Sequence, residues 1–510
     1  MTPPAPASAP AQTAAGPTPE QAQSVRYVLG RPRLLRTEVL AGLVVALALI
    51  PEAISFSIIA GVDPRVGLFA SFTMAVSISF LGGRPAMISA ATGAIALVIA
   101  PVAREHGMDY FIATVLLAGV MQVVLGLAGV ARLMRFIPRS VMVGFVNSLA
   151  ILIFLAQVPH LVDVPWIVYP LVAAGILVMV ALPKVTNTVP APLVAIVIIT
   201  VITVSMAVAV PTVGDQGDLP DSLPSLFVPD VPWTLETLQI IAPYALAMAL
   251  VGLLESLLTA KLVDDITDTR SHKTRETWGQ GAANIITGFF GGMGGCAMIG
   301  QTLINVKVSG ARTRISTFLA GVFLLILVVG FGDVVGVIPM AALVAVMIMV
   351  SVATFDWHSV QLNTLRRMPQ SETIVMVSTV AVVVLTHNLA IGVVVGVLVA
   401  MVLFARRVAH LTQVEDVAEL DEDTHVYAVT GELFFATSND LYYQFDYVGA
   451  PRNVLIDLSD AHIWDASTVA ALDAITTKFE SKGKRVEIVG LNEASAHMHG
   501  RLSGHLGAGH

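Results

Sequence analysis

A chain of 510 residues that is 55% hydrophobic and only 13% charged, with a mean hydropathy of +0.80, is not an ordinary soluble protein; such proteins carry about 25% charged residues. The composition is that of a polytopic membrane protein. The net charge of −8 gives no basis for a nucleic-acid partner, because much of the acid sits in the last hundred residues and one loop, and a single cysteine, Cys296, rules out a disulfide framework.

The first 24 residues, rich in Ala, Pro, Ser and Thr, read as a disordered tail and lack the basic and apolar regions of a signal peptide. A membrane helix needs about 20 apolar residues. On that rule the apolar runs mark fourteen segments, near 41–60, 66–81, 88–103, 110–131, 137–157, 165–182, 190–210, 238–262, 277–291, 296–309, 315–332, 337–354, 372–387 and 389–405. The last two are nearly continuous and read equally as one hairpin. A membrane domain is therefore expected over 25–409, an acidic linker over 410–423, and a different material beyond it. Val426–Thr430, Asn453–Asp457 and Arg485–Val489 read as strands and Val469–Lys482 as a helix, a small α/β domain over 424–503 followed by a tail at 504–510.

The basic residues test the segment count. With the N-terminus inside, nineteen lysines and arginines fall in alternate connections, among them Arg31, Arg33, Arg36, Arg132, Arg135, Arg139, Arg270, Lys273, Arg275, Arg406 and Arg407. The opposite side has only Arg65 and Arg104, and its longest loop, 211–237, holds five acids and no base. This is the positive-inside pattern, with both termini cytoplasmic in a cell inner (plasma) membrane. Seven segments precede the acidic loop and seven follow it. A repeat with an odd number of spans inverts its own orientation, so the halves are expected to be related by an in-plane pseudo-dyad.

The third segment of each half is broken. Gly82–Gly93 reads GGRPAMISAATG, and Gly288–Ser316 contains seven glycines, with Cys296–Val308 read as a short helix starting at membrane depth. Broken backbone there is tolerated only where protein buries it or where it lines a cavity. The start of a half-helix offers free N–H groups and the positive end of its dipole to an anion. Two such segments at corresponding places point to a transporter site.

Glu255 lies inside the eighth segment, where an ionised carboxylate is costly and a functional role is the default. Thr259, four residues on, shares its helix face. The competing reading is a structural carboxylate bonded to a neighbouring helix. Glu52, after Pro51 in the first segment, is a second carboxylate at depth, and its alternative is a partner helix away from any cavity. Glu38, at the membrane entrance, reads as a solvated or capping group. Met298, Ile299 and Gln301 follow the glycine break, and side chains this apolar imply that an anion there is held by backbone N–H groups. Asn284 and Asn305 read as interhelical hydrogen-bonders, and Gly392 with Gly396 as a helix-packing face. No HExxH, GxSxG, CxxC or nucleotide loop occurs, so nothing supports an enzyme, a metal or a cofactor.

These stretches carry a resemblance. PEAISF in the first segment, ESLLTAKLVDDIT in the eighth, and RETWGQGAANIITGFFGG leading into GCAMIGQTLINVKVSGARTRIST resemble the sulfate permease family of anion transporters, the solute carrier 26 group. NVLIDLSDAHIWDASTVAAL resembles a STAS domain, the family's cytoplasmic appendage. The resemblance implies a seven-plus-seven inverted repeat, with segments 1–4 and 8–11 as a core and 5–7 and 12–14 as a gate. It implies elevator-like movement of core against gate and a homodimer in the bilayer. It places substrate at Glu52 and Phe56, at Thr92, Gly93 and Ala94, and at Ala297, Met298, Ile299 and Gln301, with Glu255, supported by Thr259, as the coupling carboxylate.

Two positions depart from the family pattern. Pro51-Glu52 stands where Pro-Gln is common, and Gln301 where animal members carry a base. A lost cation and an added carboxylate disfavour simple anion binding unless a proton comes along, so proton symport through Glu255 and Glu52 is the expectation. The expected substrate is a dicarboxylate, sulfate or bicarbonate, and the apolar Phe56, Met298 and Ile299 tilt toward an organic carboxylate. The rivals are a nucleobase permease of the same fold, disfavoured because no acid stands on the tenth segment, and an anion channel or exchanger without proton coupling. In the tail, Ser467 within Asp465-Ala466-Ser467 matches a regulatory phosphorylation turn but reads more simply as a helix N-cap.

Overall fold

The computed structural model describes residues 23–132, 137–185, 190–409, 412–421 and 423–505, so most of the expected tail 1–24, the end of the tail 504–510 and Arg135 lie outside the described residues. The chain divides into two compact units, residues 1–396 and 397–510.

The first unit is helical apart from two short strands, β1 (Ser89–Ala90) and β2 (Cys296–Ala297). In chain order its helices are α1 (Pro32–Ala60), α2 (Pro64–Leu81), α3 (Gly93–Leu127), α4 (Arg139–Leu155), α5 (Val168–Ala181) and α6 (Ala191–Ser205). They continue as α7 (Leu235–Thr267), α8 (Lys273–Phe289), α9 (Ile299–Leu303), α10 (Arg314–Gly330), α11 (Met340–Thr354), α12 (Gln370–Thr386) and α13 (Leu389–Ala409). Six described helices are long and apolar enough to cross a membrane and five more are apolar but shorter. Local chemistry sets several ends. Proline opens α1 and α2, where its missing N–H costs nothing. Thr234 caps α7 by accepting from Thr237 N at 3.2 Å. Gly107, non-helical at φ 81 and ψ −174, bends α3 between its two halves. The chain turns between α12 and α13 at His387 (φ 53), so the last two apolar runs are separate helices.

Two buried carboxylates tie distant segments together. Glu38 of α1 accepts from the backbone N–H groups of Arg312 (2.7 Å), Thr313 (3.0 Å) and Ser316 (3.1 Å) at the head of α10. It is a capping group, but for a helix nearly three hundred residues away. Glu276 of α8 accepts from Gly83 N at 2.7 Å, Arg84 N at 3.0 Å and Gln280 Nε2 at 2.8 Å. The Arg84 guanidinium in turn pairs with Asp264 at 3.0 Å. Asn305 joins Ala86 O and Ser316 Oγ, at 2.8 and 2.9 Å, the interhelical role its sequence context suggests. Added Cβ atoms on Gly392 and Gly396 would lie 2.0 Å from Val383 Cγ2 and 2.2 Å from Thr379 Oγ1, so these glycines are the face that packs on α12.

The second unit holds a four-stranded sheet in the order β3 (Gln413–Asp421), β4 (Thr424–Leu433), β5 (Asn453–Ile463) and β6 (Arg485–Val489). β3 is antiparallel to β4, and β4, β5 and β6 are parallel. Helices α14 (Phe435–Tyr443), α15 (Ala466–Ser481) and α16 (Glu493–Leu502) accompany it, and Val429, Ile456, Leu472, Ile475 and Phe479 form its core. The acidic stretch expected as a linker is corrected here: 413–421 is the edge strand, because ladder hydrogen bonds outweigh its poor strand composition. Ser467 is corrected too. Asp465 is the N-cap of α15, accepting from Thr468 N at 3.0 Å, and Ser467 is exposed in the first turn.

Candidate functional site

The site is built where the two broken segments meet. Ser89–Ala90 (β1) runs antiparallel to Cys296–Ala297 (β2), Ser89 opposite Ala297 and Ala90 opposite Cys296. The expected helix over Cys296–Val308 is therefore corrected at its start. Those first two residues are strand, α9 begins at Ile299, and the turn that follows it, Ile304–Val308, is π-helical. Gly295 permits the join, since a Cβ there would sit 2.0 Å from Ala90 O. Asn284 of α8 holds the bend from below. Its Oδ1 accepts from Gly295 N at 2.8 Å, and its Nδ2 donates to Gly295 O at 3.0 Å and Gln122 Oε1 at 2.8 Å.

Three side chains from three segments meet beside this strand pair. Thr92 is the N-cap of α3 and accepts from Ile95 N at 3.4 Å. Its hydroxyl lies 3.1 Å from Cys296 Sγ, and Cys296 S–H donates to Glu255 Oε2 at 2.9 Å. With Thr92 accepting from the backbone, its O–H is free to donate to sulfur, so one chain of donors runs Thr92 to Cys296 to Glu255. Glu255 is only 7% exposed. Next to it, Ser256 Oγ accepts from Ala297 N at 3.1 Å. Thr259 turns away from the carboxylate and donates to the backbone carbonyl of Glu255 at 2.8 Å.

The other expected residues fall around the same junction. Phe56 of α1 packs on Gly93, where a Cβ would come within 2.8 Å of Phe56 Cε1 and 3.2 Å of Ile153 Cδ1. Glu52, half-buried on α1, lies beside the Gln301 side chain, and Gln301 Oε1 has no partner among the described residues. No hydrogen bond between described residues joins Glu52 to Glu255; Glu255 meets Cys296 of β2, and Glu52 lies beside Gln301 of α9.

Which amides remain for a ligand follows by elimination. Ala297 N is taken by Ser256, Met298 N donates to Ile88 O at 2.9 Å, and Ile95 N is taken by Thr92. The first-turn N–H groups of a helix have no intrahelical acceptor, which leaves Gly93 and Ala94 on α3 and Ile299, Gly300 and Gln301 on α9. Ala297 and Met298 thus drop out as amide donors. Space lies beside Gly300, where a Cβ would meet nothing within 4 Å. Sequence reasoning missed Cys296, Ser256 and Gln122 as members of the junction. Only their polarity in an apolar setting marked them.

The sequence profile of the Sulfate permease family matches residues 35–168 and 162–379. The chain belongs to the sulfate permease family. A STAS domain profile matches residues 417–504. The putative sulfate transporter YbaR of Bacillus subtilis (strain 168) is 54% identical over 90% of this chain and 95% of its own length. The bicarbonate transporter BicA of Picosynechococcus is 24% identical over 90% of this chain and 89% of its own. Among solved structures, murine Solute Carrier 26 family member A9 superposes with a TM-score of 0.78 over 92% of this chain and 87% of its own, at 16% identity, a likeness of fold. This member of the sulfate permease family is accordingly a multi-pass membrane transporter with a STAS domain, and not an enzyme.

Proposed function

We propose that the chain moves a small anion across the inner membrane together with protons, by elevator-like alternating access. The observation that carries the reading is the Thr92–Cys296–Glu255 hydrogen-bond chain beside the starts of α3 and α9. An anion bridging the free amides of Gly93, Ala94, Ile299, Gly300 and Gln301 would sit at the positive ends of two helices. Among the described residues no lysine or arginine belongs to this junction, so the charge of a bound anion must be balanced by helix dipoles and by keeping the nearby carboxylates neutral. Glu255, and Glu52 beside Gln301, are the groups that would take up the protons.

The seven-plus-seven arrangement is part of the proposal. Equivalent segments of two halves related by a two-fold meet one another at the axis. The antiparallel pairing of Ser89–Ala90 with Cys296–Ala297 supports this, as does the 2.8 Å contact of the Thr73 and Thr287 hydroxyls on α2 and α8. The core would then comprise α1–α3 and α7–α10, and the gate α4–α6 and α11–α13. The names of the relatives favour sulfate or bicarbonate, and the apolar Phe56, Met298 and Ile299 keep dicarboxylates in the set.

The test is uptake of radiolabelled sulfate, bicarbonate and succinate into proteoliposomes under an inward proton gradient. For the transported anion, uptake should rise with the gradient, and Glu255→Gln should abolish that rise. Gradient-independent uptake that survives the substitution would replace symport with a channel or exchanger.

A further inference from the structure

A cavity of about 820 Å³ opens at the end of the first unit opposite the arginine-rich helix starts. Arg31 precedes α1, Arg33 and Arg36 lie in its first two turns, and α4 begins at Arg139, whereas the cavity wall is made by the far ends of both helices. Its polar lining includes Arg104, His160, Gln216, Thr386, His387 and Asn388, and no aspartate or glutamate is among the described residues that line it. The floor includes Leu97 of α3 and Leu152 of α4. Leu97 lies four residues past Gly93 and so on the same helix face, one turn from the free amides.

Arg104 is the unusual member. Two arginines stand at this end of the unit. Arg65 is committed to carboxylates, 3.4 Å from Asp63 and 3.4 Å from Asp218. Arg104 pairs with no carboxylate among the described residues. Its Nη2 donates to Ile59 O at 3.2 Å, which fixes the guanidinium at the end of α1 and leaves most of its five donors unused. A cation without a counter-charge, in a concave wall free of acid, focuses a positive potential into the cavity.

We propose that this cavity is an anion-collecting station, in which Arg104, about three helical turns from Gly93, draws a small oxyanion or carboxylate toward a floor that lies one turn from the amides of Gly93 and Ala94. The proposal rests on the reading of the chain as an anion transporter. It assigns Arg104 a capture role in setting KM, distinct from the coupling role of Glu255.

Two measurements on the full-length protein separate this inference from that reading. In the first, Thr386→Cys places an accessible thiol on the cavity wall, while the native Cys296 is fully buried. The rates of modification by a sulfonate-bearing and a trimethylammonium-bearing methanethiosulfonate are compared at low salt in detergent. Adding Arg104→Gln should lower the anionic-to-cationic rate ratio about threefold or more, the effect of removing one nearby charge, and the difference should shrink as salt is raised. In the second, Arg104→Gln should raise the KM of the transported anion several-fold with kcat unchanged, and Arg104→Lys should retain most of the wild-type KM. An unchanged rate ratio overturns the proposal. So does a shifted ratio with an unchanged KM, because the cavity would then lie off the transport path. Wild-type protein that carries none of sulfate, bicarbonate or succinate would instead remove the transport reading, and the station with it, whatever the thiol rates show.

Discussion

The first unit contains two kinds of buried carboxylate, and their surroundings differ in one countable respect. Glu38 and Glu276 each accept three hydrogen bonds from protein donors, five of the six from backbone N–H groups of distant segments. Among the described residues Glu255 accepts one, from the Cys296 thiol, a weak donor, and the half-buried Glu52 has the Gln301 side chain beside it. Each of the first pair has three of its roughly four accepting sites occupied by the fold. The second pair keeps lone pairs in reserve at membrane depth, where water cannot routinely satisfy them. Stability asks for the first arrangement, and exchange of a proton with a substrate asks for the second.

Substitutions can break that contrast. The largest effect is expected at Glu38→Ala, which strands three buried N–H groups at the head of α10. At about 1–3 kcal/mol for each orphaned donor, the loss should lower the melting temperature of the purified protein sharply or prevent its recovery. Glu255→Gln should melt near wild type while losing gradient-driven uptake. A melting loss as large as that of Glu38→Ala would erase the distinction between the two kinds of carboxylate.

Cys296 sharpens it. Cys296→Ala removes the donor to Glu255 and should reduce gradient-driven uptake several-fold, whereas Cys296→Ser supplies an O–H in the same place and should retain most of it. Equal loss in both variants would mean that the thiol serves packing and not the hydrogen-bond chain.

The smallest effect is expected in the STAS domain. Asp446 accepts from Val448 N at 3.0 Å and Gly449 N at 2.8 Å, the donor pattern of Glu38 without the burial. These bonds hold its carboxyl below the usual aspartate range. A group depressed in the folded state contributes stability above its unfolded pKa, about 3.9, and that contribution is lost as pH falls through the lower folded value. Asp446→Asn should therefore lower the melting temperature of the tail slightly near neutral pH and not at all in strong acid. A pH-independent difference would show that the turn, and not the charge, matters.

Much of this was legible in the sequence because apolar run length and glycine placement are local signals. The helices of the first unit, the two breaks, the depth of Glu52 and Glu255 and the strands at Asn453 and Arg485 all follow from neighbours a few residues apart. What escaped was long-range. Nothing near Glu38 indicates that its partners are Arg312, Thr313 and Ser316, and nothing near Cys296 announces a strand, because a two-residue strand exists only through its pairing with Ser89–Ala90. The acidic composition of 413–421 argued for a connector until its ladder with β4 was in view. The Asp465 cap displaced Ser467 by two residues, within the ordinary uncertainty of helix ends.

The pairing of Ser89–Ala90 with Cys296–Ala297 also bears on biosynthesis. The two strands are separated by roughly 200 residues, and chains emerge at about 5–20 residues per second, so the first stays unpaired for about 10–40 s. Through that interval the Gly82–Gly93 segment has no lasting partner for its backbone and cannot settle in lipid. The amino-terminal half is thus obliged to wait, shielded by the insertion machinery or by water, until the second half arrives. A truncated chain ending before Cys296 should accordingly be cleared by quality-control proteases.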